Sequence, residues 1–350
     1  MSISIVVGGQ YGSEGKGKVA YYWAKRMDAA AVVRVGGSNS GHTIYDKEQN
    51  RFAFRMLPTA SVLDDIATVL PAGSYIDISV LRDEIKLIGI SEERLKIDHN
   101  AVIITDKDKI EEKNSGLRRE IGSTLSGTGA AVLERVKRNI NSNITLARDV
   151  EELRPYLTDT KTFMHELLKQ GKHIVIEGTQ GYGLSNYHAK AYPYATSRDT
   201  TAAGFLAETG LGPLSVEYVI MVIRTFPIRV AGNSGPLVNE IDWETVAKES
   251  GSKIYFEEKT TVTQMVRRVA RFDEEIVKEA IIANAPNIIV LNHLDYVDYD
   301  NKGNNQLTEK QRKFVREIEK KIGQSIDYCG NGEMSFIEMK GMGYNEERRG

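Results

Sequence analysis

The chain has 350 residues and a formal net charge of −2, with 41% hydrophobic and 27% charged residues. This near-neutral balance gives no electrostatic signature for binding nucleic acid or a membrane surface, so any nucleotide partner is expected to be a small molecule. A single cysteine, Cys329, excludes a disulfide framework and a cysteine-based zinc site. No basic leader and no stretch long enough to span a membrane is present, so we expect a cytoplasmic protein.

Short apolar segments alternate with amphipathic ones along most of the chain. The apolar segments predict strands buried on both faces, at residues 3–7, 29–35, 101–105, 173–178, 216–223 and 287–292. The amphipathic segments predict helices at residues 17–27, 78–87, 150–170, 201–209, 273–284 and 308–322. This alternation predicts an α/β fold, a mostly parallel central sheet flanked by helices. No linker-like segment divides it, so we expect one domain over residues 1–350.

The first motif follows the first predicted strand and reads "YGSEGKGK", residues 11–18. A glycine-rich turn between a strand and a helix lets backbone N–H groups approach an anion, and the helix N-terminus adds the positive end of its dipole. Lys16 and Lys18 add positive charge. The loop resembles a P-loop but is not a Walker A sequence, because Val19 stands where the metal-binding hydroxyl belongs.

Two further motifs follow predicted strands. The first, "GGSNSGHT" (36–43), has glycines that expose backbone to a ligand, and His42 beside a phosphate loop can stabilise developing charge. A structural role for this histidine stays open. The second, "EGTQGYG" (177–183), places Gln180 between glycines, where its amide can contact a base edge. The hydroxyl-rich "YPYATSRDTT" (192–201) follows it, and one of its hydroxyls can serve as a helix N-cap.

Three more clusters complete the set. "IGSTLSGTG" (121–129) is a small hydroxyl-rich loop suited to a phosphate, with Arg135 and Arg138 on the helix after it. "TTVTQMVRR" (260–268) pairs threonines with Arg267 and Arg268, which suits a dicarboxylate. "NHLD" (292–295) ends a strand and is similar to the loop that reads guanine in GTP-binding proteins, with Asp295 as the carboxylate.

In this order the motifs resemble those of the adenylosuccinate synthetase family. The family's Q-W-G-D-E-G-K-G-K, G-G-x-N-x-G-H-T, I-G-T-T, E-G-x-Q-G, Y-P-Y-V-T-S-x-x-T-T, T-x-T-G-R-x-R-R and K-x-D stand here as "QYGSEGKGK", "GGSNSGHT", "IGST", "EGTQG", "YPYATSRDTT", "TVTQMVRR" and "HLD". The resemblance spans nearly the whole chain. It implies a ligase that activates O6 of a 6-oxopurine nucleotide with the γ-phosphate of a nucleoside triphosphate and then displaces that phosphate with the amine of L-aspartate.

The resemblance also implies a role for individual residues. Ser13, Lys16, His42 and Gln180 would take part in catalysis, and Ser13 and Gly41 would contact Mg²⁺. The donor nucleotide would be held by Gly12, Glu14, Gly15, Lys16, Gly17, Lys18, Gly41, His42, Thr43, Arg267, Asn292, His293, Asp295, Gly330 and Gly332. The acceptor would be held by Ser13, Asn39, Ser123, Thr124, Arg138, Gln180, Thr196 and Met265, and aspartate by Thr261, Thr263 and Arg267. A homodimer is implied, because Arg138 matches the family arginine that reaches the neighbouring subunit's acceptor phosphate.

Several residues depart from the family pattern, and most of them lie around the acceptor. Ser13 replaces the catalytic Asp, Gln264 and Met265 replace a Gly-Arg pair, and His293 replaces the lysine of the donor-base loop. A hydroxyl is a far weaker base than a carboxylate at neutral pH. The loop resembles that of a phage branch of the family that uses dGMP to make a 2-aminoadenine DNA precursor. A serine is shorter than the family's Asp and would leave room for the C2 amine of guanine.

We therefore expect dGMP as acceptor and ATP as the favoured donor, with GTP possible, in the host cytoplasm if a phage encodes the protein. A standard enzyme that uses IMP is the alternative within the class. A catalytically inactive nucleotide-binding regulator is the alternative from another class, because the family's base is missing.

Overall fold

The structure, a computed structural model, describes residues 2–140, 142, 144–260 and 264–339. The strands within these residues are β1 (Ser2–Gly8), β2 (Ala31–Arg34), β3 (His42–Tyr45), β4 (Arg51–Phe54), β5 (Ala67–Leu70), β6 (Tyr75–Ile76), β7 (Leu95–Asp98), β8 (Val102–Ile103), β9 (Thr145–Leu146), β10 (Leu157–Thr158), β11 (His173–Glu177), β12 (Val216–Arg224), β13 (Ile228–Arg229), β14 (Glu240–Ile241), β15 (Arg268–Ala270), β16 (Ile288–Asn292), β17 (Tyr328–Cys329) and β18 (Ile337–Glu338).

The α-helices lie mainly between the strands of the large sheet and connect them. They are α1 (Lys16–Arg26), α2 (Ile78–Ile88), α3 (Asp106–Asn114), α4 (Leu117–Ile121), α5 (Thr128–Lys137), α6 (Thr160–Lys169), α7 (Ala202–Thr209), α8 (Trp243–Ser250), α9 (Glu274–Asn284) and α10 (Glu309–Ile322). No helix in the described part of the chain is both long and apolar enough to cross a bilayer.

A ten-stranded sheet forms the centre of the molecule, in the order β10-β7-β5-β2-β11-β1-β12-β16-β17-β18. Neighbouring strands are parallel except for the edge pair β17 and β18. Successive side chains of β1 point to opposite faces, so Ile5 packs in the apolar layer that contains Phe205 of α7, and Val6 packs in the layer that contains Trp23 of α1. The predicted fold class, a mostly parallel sheet flanked by helices, is confirmed.

Two predicted elements differ from the structure. Residues 101–105 were expected in the central sheet, but β8 pairs with β6 and β9 in a separate three-stranded sheet, where Val102 is buried with Ala131 of α5. The helix expected over 150–170 begins only at Thr160. Pro155 lies in a short 3₁₀ segment before it, and the side chain of Asp159 caps α6 by accepting from the Thr162 N–H.

The parallel arrangement brings the carboxyl ends of β1, β2, β11, β12 and β16 to one edge of the sheet. The loops after these strands carry most of the sequence motifs, so residues far apart in the chain meet there.

Candidate active site

The loops at this edge enclose a cleft of about 700 Å³. It is lined by twelve of the residues singled out in the sequence, Gly12, Ser13, Lys16, Asn39, Gly41, His42, Ser123, Thr124, Gln180, Thr196, Met265 and Arg267. Two further candidates, Thr261 and Thr263, lie outside the described residues. The cleft therefore joins six motifs that are spread over more than 250 positions of the chain.

The phosphate-loop motif has the geometry of an open anion site. Helix α1 starts after Gly15, which has a left-handed φ of 89° and gives the helix no side-chain cap. The first N–H groups of α1 are therefore left for a ligand. Glu14 is fully buried beneath the loop and accepts from the Gly12 N–H at 2.8 Å and from Lys16 Nζ at 2.7 Å. The Glu14 carboxylate therefore holds both the backbone of the loop and the ammonium group of Lys16 in place.

Gly17 explains how this loop meets the second motif. A Cβ atom at Gly17 would lie 2.6 Å from Thr59 Cγ2 and 2.9 Å from His42 Cβ. Only glycine allows α1 to pack this closely against both residues, so the imidazole of His42 lies beside the start of the helix.

His42 is held by two buried charged residues that end neighbouring strands. Its Nδ1 lies 2.6 Å from Glu177 Oε1 and 2.5 Å from Arg34 Nη1, and Arg34 Nη1 donates to the same carboxylate oxygen at 2.7 Å. A carboxylate can only accept, so Nδ1 carries the proton and Arg34 flanks that bond instead of donating to the ring. The other Glu177 oxygen accepts from the N–H and the hydroxyl of Thr59.

The electrostatics of this group favour a neutral imidazole. Burial and the nearby Arg34 charge lower the pKa of His42 to about 4, against the opposing effect of Glu177. Burial alone would raise the pKa of Glu177, but His42, Arg34 and Thr59 outweigh it and hold the pKa at about 2. At neutral pH the site thus contains a neutral histidine whose Nε2 is the nitrogen left for a ligand, with Ser40 Oγ at 3.4 Å.

Ser13 is fixed from three directions. Its Oγ accepts from Arg267 Nη1 at 2.5 Å, its carbonyl oxygen accepts from Arg224 Nη1 at 2.9 Å, and its backbone hydrogen-bonds the half-buried ring of His293. Its φ of 57° lies in the left-handed region, which few non-glycine residues adopt. The serine that replaces the family's Asp is therefore a precisely held group and not a loop residue facing solvent.

Behind Ser13 lies a buried ionic group. Arg224, fully buried at the end of β12, pairs with Glu258, and Tyr296 Oη donates to the same carboxylate at 2.9 Å. Burial would raise the pKa of Glu258, but Arg224, His293 and Arg267 together lower it to about 2. Glu258 Oε2 also lies 3.8 Å from Arg267 Nε, so the ionised carboxylate helps to hold Arg267 against Ser13.

The remaining donor-nucleotide candidates form a second group beside the phosphate loop, outside the cleft lining. Asn292 Nδ2 donates to the Glu14 carbonyl at 2.8 Å, and Lys18 Nζ donates to the Gly332 carbonyl at 2.9 Å. A Cβ at Gly330 would overlap both Asn292 and Lys18. The Lys18 amine therefore lies with this second group, and burial there lowers its pKa to about 8.

Asp295 in this group has an unusual carboxylate. Its side chain is buried, and Oδ1 has no hydrogen-bond partner among the described residues. Burial raises its pKa to about 6, although Lys302 and Lys18 oppose the shift. A buried, unpaired carboxylate oxygen is costly unless a ligand supplies a donor. The geometry therefore fits a site in which a bound base donates a hydrogen bond to Asp295.

Two candidates lie away from both groups. Thr43 belongs to β3 and pairs with Ala53, and Arg138 caps the C-terminal end of α5 as an exposed residue. Arg138 is not among the residues that line the cleft of its own chain.

The Mg²⁺ expected from the sequence can be compared with the available ligands. Ser13 and Gly41 both line the cleft near Lys16. Among the described residues, no three His, Cys, Asp or Glu side chains come together as a metal site. This donor set fits an ion that takes few protein ligands and most of its oxygens from water and substrate phosphates, which is the usual mode for Mg²⁺.

The sequence reasoning missed four residues that organise the site, Arg34, Glu177, Arg224 and Glu258. Three of them carried a signal, because each is a charged residue at the carboxyl end of an apolar strand, as in "AVVR", "HIVIE" and "VIMVIR". Charge at that position of a buried strand points towards the ligand edge of the sheet. Glu258 carried no such signal, since it lies in a loop and not at the end of an apolar strand.

The chain is similar to adenylosuccinate synthetases over most of its length. The family model described as adenylosuccinate synthetase matches residues 5–149 and 141–302. The adenylosuccinate synthetase of Methanococcus aeolicus is 35% identical over 339 residues, which cover 95% of this chain and 97% of the relative. That of Methanocaldococcus jannaschii is 36% identical over 339 residues, covering 95% and 94%.

Two solved structures are similar over nearly their whole length. The succinoaminodeoxyadenylate synthetase PurZ of cyanophage S-2L, solved with dGMP and with dATP as an energy donor, has a TM-score of 0.80 and 28% identity, covering 96% of this chain and 95% of that chain. The fully ligated adenylosuccinate synthetase of Plasmodium falciparum has a TM-score of 0.81 and 21% identity, covering 97% and 100%, and supports the fold alone.

Proposed function

The chain belongs to the adenylosuccinate synthetase family of C–N bond-forming ligases, and from that premise we propose that its acceptor is dGMP. The reaction joins the amine of L-aspartate to C6 of the purine and gives N6-succino-2-amino-2′-deoxyadenylate, a precursor of 2-aminoadenine in DNA. The observation that carries this proposal is Ser13, which stands where the family has its catalytic Asp and is held in the cleft by Arg267 and Arg224. The similarity to a phage enzyme solved with dGMP supports it.

In the proposed reaction the donor and the acceptor nucleotide bind to different residues of the site. The N–H groups of α1 and Lys16 bind the donor phosphates. O6 of the acceptor attacks the γ-phosphate, the nucleoside diphosphate departs, and the N1 proton leaves through Ser13 as a relay, to a water or to a phosphate oxygen. His42 stabilises charge on the transferred group, since a polyanion beside Nε2 favours the protonated ring. Gln180 orients the base. The aspartate amine then displaces the 6-phosphate, with the aspartate carboxylate bound by Arg267. Ser13 and Gly41 would hold Mg²⁺, which would supply neutralisation of the phosphate charge.

An IMP-using enzyme is the second candidate, and one observation favours it. The curated relatives at 35% and 36% identity are named adenylosuccinate synthetase, and they match 95% of the chain. The two candidates differ in what Ser13 does. Either acceptor must lose its N1 proton when O6 is phosphorylated, and a serine is a weak base for both. Only guanine carries a C2 amine, so only a dGMP enzyme gains space for its acceptor from the shorter side chain.

We propose an adenine nucleotide as the donor. His293, which replaces the lysine of the family's donor-base loop, is half-buried, hydrogen-bonds the backbone of Ser13, and has its ring centre 5.3 Å from that of Tyr296. It therefore does not offer a donor base the apolar stem and terminal ammonium of a lysine. Asp295 retains an unpaired oxygen that can accept from an exocyclic amine of either purine, so GTP stays possible.

A single set of assays tests the acceptor and the donor together. Phosphate release is measured with dGMP, GMP and IMP, each combined with ATP and with GTP, in the presence and absence of aspartate. We expect turnover with dGMP and ATP that requires aspartate, and a preference for dGMP over GMP of no more than ~10², because an apolar Met265 rejects an added hydroxyl only weakly. Highest kcat/KM with IMP would identify the second candidate, and no aspartate-dependent release with any pair would mean an inactive regulator.

We also propose that the protein works as a homodimer in which Arg138 reaches the acceptor site of the partner. Leu133 and Val136 on α5 are 52% and 65% exposed, and Ile140 just beyond the helix is 98% exposed. These three exposed apolar side chains lie close to Arg138 in the chain, and exposed apolar groups of this kind are typical of an interface between copies. A second copy seated on these side chains would bring Arg138 to a neighbouring cleft.

Val136→Asp tests this arrangement. Burying a charge in the interface should convert the dimer to monomer in analytical ultracentrifugation and raise KM for the acceptor, because Arg138 leaves the neighbouring site. Ile282→Asp is the matched control, since Ile282 is 82% exposed on α9. A wild type that sediments as a monomer at assay concentrations, or a Val136→Asp variant that stays dimeric, would contradict the proposal.

A further inference from the structure

Most of the positively charged side chains that line the cleft are held by other protein groups. Among the described residues, the cleft is lined by four side chains with a fixed positive charge, Lys16, Arg118, Arg229 and Arg267. Lys16 pairs with Glu14, and Arg267 donates to Ser13. Arg229 donates to the Ser234 carbonyl, and its guanidinium lies 4.2 Å from the ring centre of Tyr11. Each of these three has a defined protein partner.

Arg118 is different. Within the described part of the chain its side chain has no hydrogen bond and no ion pair. Its neighbour Arg119 points away from the cleft, is 87% exposed and lies 3.8 Å from Glu120. Of the two adjacent arginines in α4, Arg118 lines the cleft and has no ion-pair partner among the described residues, whereas Arg119 lies near Glu120.

The position of Arg118 is fixed by the hydroxyl-rich loop that follows it. The Gly122 N–H donates to the Arg118 carbonyl at 3.2 Å, so α4 leads directly into Ser123 and Thr124. Asn233 Nδ2 donates to the Glu120 carbonyl at 2.8 Å, which ties α4 to a loop whose Gly232 and Ser234 also line the cleft. Arg118 therefore enters the cleft beside Ser123 and Thr124, which the family resemblance assigns to the acceptor nucleotide, in a loop whose hydroxyls suit a phosphate.

Helix α5, whose N-terminus starts just beyond this loop, cannot supply the missing countercharge. The buried carboxylate of Glu112 already accepts from the N–H groups of Gly127 at 2.8 Å and Gly129 at 2.6 Å. These are the donors that an anion would otherwise use at a helix N-terminus. A phosphate at this end of the cleft must therefore find its positive charge on a side chain.

We propose that Arg118 binds the 5′-phosphate of the acceptor nucleotide from within the same chain. The inference rests on the proposed function to the extent that the acceptor is a purine nucleoside monophosphate. Guanidinium suits this task because two of its N–H groups can donate in parallel to two phosphate oxygens. With Arg138 supplied by a partner, the doubly charged phosphate would meet one arginine from each chain.

The test compares acceptors with and without the phosphate. In Arg118→Ala, we expect kcat/KM with dGMP to fall roughly 10- to 100-fold through KM, with kcat little changed, since a hydrogen bond to a charged group is lost. With deoxyguanosine as acceptor, or as ligand in calorimetry if its turnover is too slow, the same variant should match wild type. Arg118→Lys should recover part of the loss, and Arg119→Ala should behave as wild type.

The outcomes separate this inference from the proposed function. If wild type prefers IMP, the dGMP proposal fails, and the comparison is repeated with IMP and inosine, which differ only in the phosphate. If wild type turns over no acceptor, calorimetry with dGMP and deoxyguanosine measures the same ratio. An Arg118→Ala variant whose ratio for the nucleotide and nucleoside stays within twofold of wild type, or which loses both ligands equally, would overturn the role of Arg118.

Discussion

Replacing His42 with alanine is expected to lower kcat by ~10²–10³, which is the typical cost of removing one donor that stabilises transition-state charge. Glu177 Oε1 lies 2.6 Å from His42 Nδ1 and holds the ring in one orientation. In the proposed mechanism this orientation directs Nε2 to the reacting phosphoryl group. KM for the acceptor should change little, because in the proposed mechanism the charge that His42 stabilises develops only during phosphoryl transfer. Single-turnover measurement of phosphate release reports this step directly.

Two variants serve as controls for His42. His165→Ala removes an exposed histidine from α6 and should leave kcat unchanged. Glu177→Gln keeps the size of the side chain but removes the charge that orients the ring, and kcat should fall in the same direction as in His42→Ala. Near-normal turnover of a folded His42→Ala enzyme would remove His42 from the mechanism.

The location of the site was predictable from the sequence because parallel strands end at one edge of their sheet. "YGSEGKGK", "GGSNSGHT" and "EGTQGYG" each follow an apolar strand, and β1, β2 and β11 are neighbours in the sheet. Their convergence follows from topology and needs no knowledge of side-chain packing. The family resemblance supplied the roles that spacing alone left open.

The contacts that tune the site were not predictable in this way. Ser13 is held by Arg267 from a loop 254 positions further on, and Lys18, two residues from Lys16, donates to Gly332 instead of facing the cleft. Such pairings depend on the three-dimensional path of loops that have no periodic pattern. The short strands β5 and β7 were missed for a related reason, since four residues are too few to show a period.

Ser13→Asp is expected to change the acceptor. The backbone should accept the substitution, because Asp adopts the left-handed φ of 57° more readily than most residues. Arg267 and Arg224, which already contact Ser13, would keep the new carboxylate ionised. It would then be a base for the N1 proton of IMP, and positioned bases typically contribute 10²–10⁴ in rate. The same carboxylate would occupy the space that the C2 amine of guanine needs.

We therefore expect kcat/KM to rise at least ~10-fold for IMP and to fall by roughly 10² for dGMP in Ser13→Asp. Ser13→Asn has the same size without the charge and should lose dGMP without gaining IMP, whereas Ser13→Ala keeps the space and should retain dGMP as its better acceptor. An increase for dGMP in Ser13→Asp would mean that a carboxylate accepts from both N1–H and the C2 amine. That result, or an unchanged ratio of the two acceptors, would show that the serine is not there to make room for guanine.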